Sequence, residues 1–176
     1  MTNASAEADR ILRARARALA QAPSSAAPGR MLELLEFRLA SERYALEIRH
    51  VQNVHPLREL TPLPCTPPFV LGIVNVRGRI LPVLDLKKFF ELPEQGLTDL
   101  HRIILVQGND LELGLLADVI VGVRSVAADS LQPSLPTLTG IRADYLKGIG
   151  EEGLVVLDLD RILADPKIIV HEEVDS

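Results

Sequence analysis

The chain has 176 residues, a net charge of −5 and only 3% aromatic residues, which argues against a general nucleic-acid binder with its basic face or stacking platform. Hydrophobic residues make up 47% of the sequence, enough for one domain or two small ones sharing a core of Leu, Val, Ile and Ala. A single cysteine, Cys65, leaves no internal disulfide and no thiolate metal cage, and with neither an apolar run of about 18 residues nor a secretory leader, a soluble cytoplasmic protein is expected.

Residues 6–21 predict one helix, since Ala and Leu dominate and no Gly or Pro intervenes. Ala8, Ile11, Leu12, Ala16 and Leu19 make a narrow apolar stripe, with Arg10, Arg13 and Arg17 on another side. Such a helix either packs on its own domain with a solvated basic face or docks an acidic or helical partner. Residues 22–30, rich in Pro, Ser, Ala and Gly, read as a linker.

From Met31 onward short strands dominate. Residues 35–39 and 44–48 predict a hairpin around a turn at 40–43, and Val51 and Val54 follow. Pro56, Pro62 and Pro64 then mark a loop. Residues 69–76 and 80–86 predict a second hairpin with Arg77-Gly78-Arg79 at its tip, where Gly78 supplies the positive φ of a tight turn. Pro82 cannot donate to a ladder, which predicts an edge position or a bulge. Residues 87–90 predict a short helical turn closed by Pro93 and Gly96.

The second half repeats this plan. A shift of 69 positions lays Tyr44, Ala45, Leu46, Val51 and Val54 on Leu113, Gly114, Leu115, Ile120 and Val123. Phe69-Val70-Leu71-Gly72-Ile73 is answered by Tyr145-Leu146-Lys147-Gly148-Ile149, and Leu84-Asp85-Leu86 by Leu157-Asp158-Leu159. Two short-strand units on one plan predict two small barrels sharing a core.

No catalytic constellation emerges. Gly148, Gly150 and Gly153 match a dinucleotide fingerprint in spacing, but a strand rather than a helix follows, and Glu151 and Glu152 would repel phosphate; a hairpin turn is expected. His50, His55, His101 and His171 lack metal-ligand spacing. Asp158 and Asp160 would share one face of a strand, with a structural or solvated role rather than acid–base work. Cys65 lies in a proline-rich loop with nothing to lower its pKa. The expectation is a non-enzyme without cofactor or metal; a small β-barrel enzyme or ligand carrier is the remote alternative.

The run Gly72-Ile73-Val74-Asn75-Val76-Arg77-Gly78-Arg79-Ile80-Leu81-Pro82-Val83-Leu84-Asp85-Leu86 closely resembles the central motif of CheW-like coupling proteins. Tyr44-Ala45-Leu46-Glu47-Ile48, Leu60-Thr61-Pro62-Leu63-Pro64, Gly114-Leu115-Leu116-Ala117-Asp118-Val119 and Leu157-Asp158-Leu159 extend the likeness over most of residues 34–163. The resemblance implies a mainly β fold: two SH3-like five-stranded β-barrel subdomains sharing a core and interleaved within residues 31–170. An N-terminal helix and linker would occupy 1–30 and a tail 171–176. It also implies a non-catalytic scaffold of bacterial chemotaxis, coupling the cytoplasmic helical tip of a methyl-accepting chemoreceptor to the regulatory domain of a CheA-type histidine kinase. Such a scaffold is cytoplasmic, is recruited to receptor arrays at the inner face of the membrane without inserting, and is monomeric outside arrays.

Carried over by position, the receptor and kinase interaction residues are Val51, Asn53, Gly72 and Arg77. Position 53 commonly carries a Glu in the family, able to pair with the turn arginine; Asn53 offers Arg77 a hydrogen bond without a charge. That departure points to the alternative of an adaptor with other clients, in a non-chemotactic kinase pathway controlling pili, gliding or development. Arg77→Ala and Gly72→Asp are both expected to weaken receptor coupling with the fold intact, the alternative for a bulky charge at Gly72 being an unfolded domain that circular dichroism would reveal.

Overall fold

The computed structural model describes residues 11–13, 29–93, 100–133 and 141–168. The chain divides into two units, Met1–Arg30 and Met31–Ser176. In the first, residues 11–13 are helical; the rest of the expected helix, most of the linker, His171 and the C-terminal tail lie outside the described residues.

The second unit runs β1 (Met31–Leu39), β2 (Glu42–Glu47), β3 (Val51–Pro56), β4 (Val70–Val76), β5 (Arg79–Leu84) and helix α1 (Leu86–Phe89). It continues with β6 (Arg102–Gly108), β7 (Leu111–Ala117), β8 (Val119–Ala127), helix α2 (Ile141–Asp144), β9 (Leu146–Ile149), β10 (Val155–Leu157) and helix α3 (Leu159–Leu163). The strands form two five-stranded sheets, ordered β8-β1-β2-β10-β9 and β3-β6-β7-β5-β4.

This order exchanges the halves of the repeat. The β1–β2 hairpin of the first half joins β8, β9 and β10 of the second, and β6–β7 joins β3, β4 and β5. The repeat noticed in the sequence is visible in the pairing: β5 runs parallel to β7 with Val83 opposite Gly114, and β10 runs parallel to β2 with Val156 opposite Ala45. A Cβ on Gly114 would stand 2.4 Å from Ile103 Cγ2, so the parallel crossing needs a small residue. Gly72 and Gly148 are matched in the same way. Ile73 bridges to Thr61 and Ile149 to Gln132, and a Cβ on either glycine would meet the bridging segment, 2.2 Å from Thr61 O at Gly72 and 2.8 Å from Leu131 Cβ at Gly148.

Alternation along the strands builds three cores. Leu35, Phe37, Leu39, Tyr44 and Leu46 of one sheet meet Leu84, Ile104, Val106, Leu113 and Leu115 of the other, together with Leu86, Phe89, Leu159 and Ile162 from the helices. The opposite faces are also buried: Leu32, Leu34, Ala45, Leu154 and Val156 form a second cluster, and Val74, Leu81, Val83, Ile103 and Leu105 a third. Strands covered on both sides explain uninterrupted apolar runs such as residues 103–106.

Three expectations change. Pro82 is on neither an edge strand nor a bulge: β5 lies between β4 and β7, and Pro82 precedes the two residues, Val83 and Leu84, that pair with β7. The run 154–159 does not stay extended, nor does 80–86. Asp85 Oδ1 accepts the Lys87 N–H at 2.9 Å and Asp158 Oδ1 accepts the Arg161 N–H at 3.2 Å, so each aspartate ends a strand and caps a helix. Asp158 and Asp160 therefore share no strand face, since Asp160 lies inside α3.

A buried ionic cluster ties the connections together. Lys87, 1% exposed, donates to Asp118 Oδ1 at 2.6 Å; His101 Nε2 lies 2.9 Å from the same oxygen, and the Ala40 N–H donates to Oδ2 at 2.7 Å. Burial opposes ionisation of Asp118, but Lys87, the Ala40 N–H and His101 outweigh it and hold its carboxyl below the ordinary value.

Candidate functional site

The β4–β5 hairpin closes on a two-residue turn, with Val76 opposite Arg79. Arg77 (φ 52°) and Gly78 (φ 83°) both lie in the left-handed region, the geometry of a type I′ turn. Asn75 Oδ1 accepts the Gly78 N–H at 2.9 Å and braces it. Two neighbours on the hairpin are spoken for differently: Arg79 pairs with Glu112 at 2.5 Å, while Ile80 is 66% exposed.

Beside the turn, β3 and β4 are the two end strands of their sheet, and no ladder joins them among the described residues. The sheet nevertheless curls until they face each other, because residues of both line one cavity of about 380 Å³: His55, Pro56, Arg58 and Glu59 on one side, Val74, Asn75, Val76 and Arg77 on the other, with Ile103 of β6 as the floor. A smaller cavity of about 120 Å³ adjoins it, lined by Gln52, Asn53, His55, Val76, Arg77, Arg79 and Leu105. The floor residues Ile103 and Leu105 belong to that sheet's own apolar cluster. The cavity thus opens onto one sheet's interior and does not lie between the two sheets.

The four residues expected to mediate interaction are dispersed. Asn53 and Arg77 line the smaller cavity together. They do not hydrogen-bond as expected: Asn53 Oδ1 accepts the Val54 N–H at 2.8 Å, and Arg77 has no hydrogen bond or ion pair among the described residues. Val51 packs half-buried against the shared core. Gly72 (φ +149°) is buried beneath Thr61 and Pro62, so Gly72→Asp would drive a side chain into backbone and cannot leave the local fold intact.

Sequence reasoning weighed His55 only as a metal ligand and passed over Arg58. Their position in and beside a strand end opposite the turn depends on the sheet's curl, which no local pattern reports. Among the described residues no group of three or more His, Cys, Asp or Glu is placed to hold a metal ion. His50 is held by Gln107 O at 3.3 Å through Nδ1, and Cys65 is exposed.

A second surface stands out on β8, an end strand of the other sheet. Val119, Val121 and Val123 are 50–63% exposed, a row of apolar side chains on an edge strand of the kind that marks interaction surfaces.

The model of the CheW-like domain family matches residues 33–167, nearly all of the unit that carries both sheets. The chain is 31% identical to the chemotaxis protein CheW of Treponema pallidum over 143 residues, 77% of this chain and 84% of that protein. It is 30% identical to the protein FrzA of Myxococcus xanthus, over 74% and 84% of the two chains. The crystal structure of the scaffolding protein TtCheW from Thermoanaerobacter tengcongensis superposes with a TM-score of 0.70 at 30% identity, covering 82% of this chain and 96% of that one. With the exchanged sheets, the braced arginine turn and a match across both halves of the repeat, the chain belongs to the CheW-like domain family.

Proposed function

We propose that the chain is a non-catalytic adaptor of chemotaxis signal transduction that couples the cytoplasmic tip of a chemoreceptor to a CheA-type histidine kinase. The observation that carries this is the family match across both sheets, 33–167, together with a turn arginine that the fold displays and does not pair internally. Val51, Asn53, Gly72 and Arg77 belong to the coupling surface in different ways. Arg77 and Asn53 contact partners, while Val51 and Gly72 set the shape of the strands that present them. The exposed valine row of β8 supplies an apolar face for a helical partner.

Coupling of this kind requires only that receptor states differ in binding free energy for the adaptor. Residues 31–170 carry it. Among the described residues no helix is long and apolar enough to cross a membrane; recruitment to receptors at the inner face would place the protein at arrays. One residue favours other clients for the same scaffold: Asn53, whose side chain is turned onto its own backbone.

Co-purification of the full chain from its native cells, wild type against Arg77→Ala, tests the assignment. The expected result is recovery of a receptor and a CheA-type kinase with wild type and a clear loss with the variant. Recovery of neither under conditions that keep arrays intact would reject the coupling role.

A further inference from the structure

The cavity between β3 and β4 has a chemistry that its own chain does not use. Arg58, from the connection after β3, and Arg77, from the β4–β5 turn, both line it, and among the described residues neither has an ion pair or a side-chain hydrogen-bond partner. His55 is also in the lining; its Nε2 is a buried nitrogen without a hydrogen-bond partner, and such an atom carries the cost of desolvation until something meets it. Val74 and Ile103 supply apolar walls. Glu59 is the acidic residue of the lining; it is exposed and has no ion pair among the described residues.

An exposed arginine at a turn is ordinarily just solvated. Three features distinguish this pair: the concavity, the buried imidazole nitrogen and the contrast with the cavity of the other sheet. The corresponding cavity of the other sheet, about 270 Å³, is lined by Arg124, Ser125, Glu151 and Leu154. Its arginine lies 3.5 Å from the buried Glu36, so its charge is answered from within. Arg43, Arg49 and Arg79 are likewise paired with carboxylates of this chain.

We propose that the cavity accepts the carboxylate side chain of a glutamate or aspartate carried by a protein partner, held between Arg58 and Arg77. This deepens the adaptor reading above and rests on it. The planar guanidinium fork matches a carboxylate geometrically, the His55 Nε2–H tautomer donates a further hydrogen bond, and Val74 and Ile103 receive the methylenes. At about 380 Å³ the space suits side chains and not a whole helix. Asn53 in place of a carboxylate leaves Arg77 available to the partner. The net charge of −5 opposes an acidic partner at long range, so the attraction is local and depends on these arginines.

The test is a pair of titrations on the full chain followed by NMR. The first uses a hexaglutamate peptide, with hexaserine as control; the second uses a receptor tip fragment and the kinase regulatory domain. Variants are Arg58→Gln and Arg77→Asn, the latter because Asn-Gly suits a type I′ turn and keeps the hairpin. Hexaglutamate is expected to shift the Arg58 and Arg77 Nε–H and His55 ring signals, and hexaserine to leave them. Each variant is expected to weaken partner binding about tenfold without any loss of thermal stability, and the difference to shrink at high salt. Unmoved signals with hexaglutamate, or partner binding at wild-type affinity in both variants, would overturn the proposal. Failure of wild type to bind receptor and kinase would instead reject the coupling reading, while the peptide titration still decides the carboxylate site.

Discussion

Arg77 holds a backbone conformation that suits it poorly. A positive φ at the first position of a type I′ turn favours Asn, Asp or Gly, whereas a long side chain there is strained. Arg77→Asn should therefore raise the stability of the isolated protein by about 0.5 kcal/mol, measured by urea unfolding, while weakening partner binding. A variant that gains stability and loses function places the arginine at an interface; one that loses both would give it a structural role. Gly72 makes the opposite case. Its φ of +149° and the 2.2 Å approach of Thr61 O to any Cβ mean that Gly72→Ala should cost about 2 kcal/mol or more in unfolding free energy, and loss of coupling by that variant would follow from misfolding. Asp118 is the third residue whose loss can be sized. Asp118→Ala strands a Lys87 ammonium that is 1% exposed and should cost about 3 kcal/mol or more, with Lys87→Met in the same chain restoring part of it.

Among the elements, the two short helices show how local chemistry ends a strand. Asp85 and Asp158 occupy matching places in the repeat, and each accepts a backbone N–H from the helix that follows. Asp158→Ala should cost about 1 kcal/mol in thermal or urea unfolding. The strands and hairpins were legible in the sequence because apolar β-branched runs bounded by Gly and Pro have few other outcomes, and the Arg77-Gly78 turn was legible from its glycine. The strand ends were not: in 80–86 and 154–159 the apolar run continues through the capping aspartate into the helix, so hydropathy alone overruns the boundary. Pro82 misled for a related reason. Its missing N–H is harmless because the pairing of β5 with β7 is confined to Val83 and Leu84, a fact set by a parallel crossing between distant segments.

For the whole molecule, the exchange of hairpins between the halves is the feature that local sequence could only suggest. The 69-residue repeat marked equivalent positions such as Ala45 and Gly114, yet that each half lends its first hairpin to the other's sheet follows from pairings between residues far apart in the chain. The same holds for the candidate site. Asn53 and Arg77 were legible as motif positions, but His55 and Arg58 join them only because the sheet curls until its end strands face each other. The exchange also makes the fold cooperative, since neither sheet is complete from one half, and it makes the connecting ionic cluster matter. Asp118, and Glu47 with its Lys147 and Arg49 partners, have carboxyls held below their ordinary values against the opposing effect of burial, so their ionised forms stabilise the fold above the ordinary carboxylate range. That contribution is lost as pH falls through the depressed values, below the ordinary carboxylate range. Asp85, pushed up chiefly by burial, acts in the opposite direction. Asp118→Asn should accordingly lower stability at neutral pH and flatten the acid limb of the stability profile measured by urea unfolding.

The proposed coupling function is the transmission of receptor state to a kinase. Its most direct test is reconstituted autophosphorylation of a CheA-type kinase on receptor-bearing membranes, with and without the purified protein. Receptor control of the kinase should appear only when the protein is present and be lost with Arg77→Asn. Kinase activity that ignores the protein, or that responds equally to wild type and variant, would contradict it.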